Sequence, residues 1–151
     1  IATFGPAGEI SLLAYTVASN SQLETENSPV PARGKPETRL SSPGGNPTLI
    51  LYWQATGPLP TDYTVFVHLR AADVFCRSHA DSPPVSNHYP TIAWQPGEII
   101  QDIHPLPNDD FNRVDHLAVG LYNPATGERL PAFDAAGAPL PHDAIIIPLD
   151  R

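Results

Sequence analysis

The chain has one cysteine, no methionine, few basic residues and no apolar run near the roughly 20 residues that a membrane-spanning helix needs. A lone cysteine excludes an internal disulfide, so Cys76 reads as a small buried hydrophobe in the alternation Val74, Cys76, Ser78. Eight basic against sixteen acidic residues give a formal charge of -8, and Lys and Arg are nowhere clustered. Such a surface repels polyanions, so nucleic acid is not an expected partner. Also missing are a His-Glu-Xaa-Xaa-His element, a Gly-Xaa-Ser-Xaa-Gly elbow and a glycine-rich phosphate loop. No cofactor is expected. The chain begins at Ile1 with no signal peptide, and reads as an excised or processed piece of a longer polypeptide.

What is present is proline, 19 residues of 151, in a chain that is nonetheless 41% hydrophobic. That apolar share argues against a disordered segment, and the length suits one domain with one core. The prolines then mark turns and strand edges. Residues 48–56 form the clearest strand, with Leu49, Leu51 and Trp53 on one face and Ile50, Tyr52 and Gln54 on the other. In residues 63–70, Tyr63, Val65, Val67 and Leu69 form a core face, while Thr64, Phe66, His68 and Arg70 point the other way. The intervening Gly57-Pro58-Leu59-Pro60 reads as a hairpin loop, which would put Tyr52 and Gln54 on the same sheet as Phe66 and His68.

Further strands are expected at residues 9–17, 74–79, 98–104, 117–122 and 144–149, with Ile100, Asp102 and His104 opposed to Ile99, Gln101 and Ile103. A turn at Ala71-Ala72-Asp73 and a long loop over residues 80–96 join them. Residues 18–47 carry five prolines and read as a long loop or extended strap with weak order in its first half. About eight short strands without a 3.6-residue period predict a single all-β domain, an antiparallel sandwich of immunoglobulin-like or jelly-roll-like type, with a closed barrel as the alternative.

Three kinds of site are weighed. Sugar binding by a sandwich needs rings that stack on sugar faces and polar groups that hold hydroxyls. Trp94 and Tyr89 for stacking, with Phe66 and Tyr52 nearby, and Asp81, His68 and Asp102 for polar contacts, would supply both if residues 81–94 folded over the 63–70 strand. Set against this, large aromatics are first of all packing residues. Asp81 with Glu98 or Asp102 would make a carboxylate pair for glycan hydrolysis, a weak signal in any acidic chain. His68, His79, Asp81 and His88 invite a metal reading, but the spacing lacks the fixed local pair of a zinc motif and no metal is expected there. Asn108-Asp109-Asp110 offers oxygen ligands of the calcium kind, or simply a solvated acidic turn. For Glu98 or Glu128 with Arg129, an ion pair across the sandwich is expected.

A resemblance rests on particular strings: Phe66-Val67-His68-Leu69; Asp81-Ser82-Pro83-Pro84; the run Tyr89-Pro90-Thr91-Ile92-Ala93-Trp94-Gln95-Pro96-Gly97-Glu98-Ile99-Ile100-Gln101-Asp102; and Gly120-Leu121-Tyr122-Asn123-Pro124-Ala125-Thr126-Gly127-Glu128-Arg129-Leu130-Pro131. Together with Phe4-Gly5, residues 10–15 and 49–54, these strings resemble the soluble β-sandwich accessory domain at the C-terminal end of bacterial multi-pass membrane glycosyltransferases of the dolichyl-phosphate-mannose-utilising type. The chain departs from that pattern at residues 73–77 and 111–116. The resemblance implies a non-catalytic domain outside the cytoplasm, tethered through the membrane-embedded remainder of its parent protein. Its implied role is that of a glycan-binding or assembly module, or of a spacer with no ligand.

Overall fold

The computed structural model describes residues 1–18, 46–72 and 74–149, residues 74–77 by their backbone alone. The proline-rich 18–47 segment therefore lies almost wholly outside the described residues, as do Asp73 and the Cys76 side chain. Two antiparallel sheets pack face to face. The first contains β1 (Ala2–Phe4), β2 (Ile10–Ala18), β3 (Thr48–Ala55), β6 (Ile99–Pro105) and β8 (Ala132–Asp134), in the order β6-β3-β2-β1-β8. The second contains β4 (Thr64–Ala71), β5 (Val74–His79), β7 (His116–Tyr122) and β9 (Ile145–Pro148), in the order β5-β4-β7-β9. The expected all-β antiparallel sandwich is what forms. Among the described residues the only α-helix is a single turn, Asn108–Phe111, and no helix is long and apolar enough to cross a membrane.

Period-two alternation builds the core. From the first sheet, Phe4, Ile10, Leu12, Leu49, Leu51 and Trp53 turn inward, each fully buried; from the second, Val65, Val67, Leu69, Leu117, Val119 and Leu121 meet them. Phe4 and Trp53 pack edge to face with ring centroids 5.6 Å apart.

The expected hairpin between β3 and β4 does not form. The two strands belong to different sheets, so Tyr52 and Gln54 do not share a surface with Phe66 and His68. The connection arches across the end of the sandwich and is tied to elements other than its own flanking strands. The Thr56 N–H donates to the Glu9 carbonyl (2.9 Å), and the Tyr63 N–H donates to Thr91 Oγ1 (2.9 Å). Leu59 is buried in the core beneath the arch. Eight residues with three apolar or proline anchors suit such an arch as well as they suit a hairpin loop, which is why composition alone misplaces them.

A second, smaller cluster lies on the outside of the second sheet, where Phe66, Ala118 and Ala144 are buried with Tyr122 against them. The chain after β8 covers this face: a turn at Pro141–Asp143 brings Ala144 over the sheet. Arg129 reaches across, its guanidinium carbon 4.2 Å from the Phe66 ring centroid and Nη1 donating to the His142 carbonyl (2.8 Å). Gly120 sits opposite Phe66 in the ladder, and a Cβ there would come within 2.4 Å of the Phe66 ring and 2.7 Å of the Asp143 carbonyl. Only glycine allows the ring to lie flat on the strand.

Candidate functional site

The seven residues nominated for sugar contact do not share one surface, and the structure gives most of them internal work. Residues 89–98 are sewn to the end of the β3–β4 arch. Thr91, fully buried, accepts the Tyr63 N–H and donates its hydroxyl to the Thr61 carbonyl (2.9 Å), while the Gly97 N–H donates to the Ala55 carbonyl (2.8 Å). This stitching drives Trp94 into the core, where it is 2% exposed and its indole N–H donates to the Tyr89 carbonyl (2.9 Å). The stacking platform expected of Trp94 is therefore not presented to solvent. Tyr89 is half-buried beside it, and its hydroxyl donates to Glu98 Oε1 at 2.6 Å. That bond and the Gln95 N–H hold the Glu98 carboxyl below its usual range, while the same bond pushes the Tyr89 phenol up. Glu98 thus serves the loop, and Arg129 serves Phe66 and His142, in place of the ion pair expected across the sandwich.

Asp102 is also internal, at 0% exposure. In the ladder it stands opposite Leu51, so Ile100, Asp102 and His104 share the inward face with Leu49, Leu51 and Trp53. Three donors reach the carboxylate: Trp53 Nε1 (3.1 Å) and His104 Nε2 (2.6 Å) on Oδ2, and the Val85 N–H (2.8 Å) on Oδ1. Ser82 Oγ lies 3.2 Å from His104 Nδ1 and extends the network. The Val85 contact explains an unusual piece of backbone. Val85, Ser86 and Asn87 have φ of 54°, 52° and 69°, a left-handed run that side chains disfavour and that an anchor must hold.

The remaining nominees stand on the outer face of the second sheet or away from it. Phe66 is 1% exposed beneath Arg129 and Ala144. Tyr52, on the other sheet, is half-buried and accepts a bond from Gln101 Nε2 (3.1 Å). His68 and Asp81 come together with His79. Pairing of β4 with the chain after β5 continues past His79, since the Ala80 N–H donates to the Val67 carbonyl (2.8 Å) and Val65 bridges Ser82. His79, opposite His68, and Asp81, opposite Phe66, consequently lie on one side. The Val67 N–H, which a regular ladder would send to the Ala80 carbonyl, goes to Asp81 Oδ1 instead (3.0 Å).

The result is a compact group. His68 Nε2 is 3.9 Å from Asp81 Oδ1, and the His68 and His79 rings meet edge to face with centroids 4.4 Å apart. One potential ligand atom from each of His68, His79 and Asp81 falls within 4.8 Å of the other two. His68 is 8% exposed, and burial pushes its imidazole down to about 4, against the opposing pull of the Asp81 charge, so it is neutral at pH 7. Its Nδ1 is buried and has no hydrogen-bond partner. His88, the fourth residue of the sequence-level metal reading, is outside the cluster, and Asn108-Asp109-Asp110 opens the helical turn at Asn108–Phe111. The signal for the cluster was the alternation of His68, His79 and Asp81, which depended on the β5 pairing running on to Ser82.

No family model, curated protein or solved structure matches this chain.

Proposed function

We propose that this sandwich is a non-catalytic structural and assembly module, held outside the cytoplasm as the soluble end of a membrane glycosyltransferase-like protein. The observation that carries this reading is the internal use of the nominated contact groups. A sugar site needs an aromatic face and carboxylates whose oxygens are open to hydroxyls. Here Trp94 is packed into the core, Asp102 already accepts three hydrogen bonds, and Tyr89 and Glu98 are bonded to each other. Groups committed in this way stabilise a loop-rich end of the fold, which is the work expected of a spacer. The resemblance of the 63–70, 89–102 and 120–131 strings to membrane glycosyltransferase accessory domains supplies the setting.

The test is a titration of the isotope-labelled domain with mannose oligosaccharides, followed by amide and indole NMR shifts. The reading predicts no saturable shift at any residue. Saturable shifts centred on Tyr89, Asp81 or Tyr52 would replace it with the glycan-binding reading.

A further inference from the structure

We propose that His68, His79 and Asp81 form a binding site for a divalent transition-metal ion of the zinc class. The donor set is two imidazoles and one carboxylate, the combination that borderline cations such as zinc take in tetrahedral sites with a fourth position left to solvent. Bonds of about 2.0–2.1 Å in that geometry place ligand atoms about 3.4 Å apart. The three ligand atoms lie within 4.8 Å of one another, so closure needs only side-chain rotation at the rim. His79 and Asp81 lie at the exposed rim, and the buried member, His68, packs against the Phe66 and His79 rings.

Two further features favour metal over a plain polar contact. His68 is not consumed elsewhere, because its buried Nδ1 has no hydrogen-bond partner and its Nε2 is beyond hydrogen-bond range of Asp81. At 3.9 Å the imidazole and the carboxylate are too far apart for a hydrogen bond, whereas a cation between them uses both groups. Asp81 is oriented in advance by the Val67 N–H, which bonds Oδ1 and leaves the second oxygen for a ligand.

The test is titration of chelator-stripped protein with zinc chloride in competition with a chromophoric chelator. One equivalent per chain is expected. His79→Ala and Asp81→Asn should each weaken binding at least tenfold, while His88→Ala leaves it unchanged. Asp81→Asn keeps an oxygen for the Val67 N–H, so it should show the wild-type urea midpoint without metal, and circular dichroism checks that His79→Ala is folded. Cobalt loading supplies a readout that does not depend on the variants. Tetrahedral ligand-field bands without a thiolate charge-transfer band are expected, and a thiolate band would place Cys76 in the site and overturn the assignment. Absence of stoichiometric binding, or wild-type affinity in His79→Ala, would overturn it equally. These results are independent of the glycan titration, so either proposal can fail alone.

Discussion

Replacing Asp102 by Asn separates a ligand-binding carboxylate from an internal anchor. As an anchor, Asp102 accepts from the Trp53 indole, the Val85 amide and His104 Nε2. An asparagine oxygen in the Oδ1 position keeps the Val85 bond. The amide nitrogen in the Oδ2 position suits His104, which moves its proton to Nδ1 and donates to Ser82 Oγ. The Trp53 N–H is then left facing a donor in a fully buried site, and an orphaned buried donor costs about 1–3 kcal/mol. Asp102→Ala leaves all three donors unpaired and frees the left-handed Val85–Asn87 turn, for a loss of about 3–5 kcal/mol.

Urea unfolding followed by circular dichroism measures both, and Trp53→Phe in the Asp102→Asn background completes a double-mutant cycle. The coupling between positions 53 and 102 should be about 1–3 kcal/mol. A loss below about 0.5 kcal/mol for Asp102→Asn, the range of ordinary surface substitutions, would refute the reasoning and return Asp102 to the list of ligand contacts.

Three other outcomes follow from the same geometry. Gly120→Ala should destabilise by about 1–3 kcal/mol, because its methyl group meets the Phe66 ring and the Asp143 carbonyl, and the loss is readable as a lowered urea midpoint. The Glu98 carboxyl lies below its unfolded value, so its contribution is present above that value and is lost as pH falls through the lowered folded-state pKa. Glu98→Gln should flatten that acid limb in a stability profile, and an unchanged limb would contradict the Tyr89–Glu98 bond. Arg129→Ala should cost about 0.5–1 kcal/mol through lost cation–π contact with Phe66, measured by thermal unfolding, with no change if the guanidinium merely overlies solvent.

The strands were legible because alternation and Pro/Gly punctuation are local properties. Residues 74–79 matched β5 in full, and β2, β3, β4, β6, β7 and β9 fell within a residue or two of expectation. The three-residue strands β1 and β8 escaped because so short a segment carries no period. What sequence could not decide was which sheet each strand joins. The 56–63 connection has the composition of a hairpin loop and acts as an arch, and that one difference removes Tyr52 from the surface holding Phe66 and His68. Alternation correctly grouped Ile100, Asp102 and His104, but it did not say which face they take, and Asp102 reads as a polar contact for sugar. The register Leu51 to Asp102 turns it inward, where the indole of Trp53 and the Val85 amide make burial tolerable. The His68, His79 and Asp81 group was visible as residue types, and its compactness hung on a bridge between Val65 and Ser82 that no local pattern announces.

Iodide quenching of the intrinsic tryptophan fluorescence tests the central claim, that the nominated contact residues are spent on the fold. Both indoles are buried, Trp53 fully and Trp94 to within 2%, so the unmodified protein reports directly. The account predicts blue-shifted emission, shielding from iodide far beyond that of a free indole, and no response to mannose oligosaccharides. A freely quenched tryptophan whose emission shifts with sugar would contradict it.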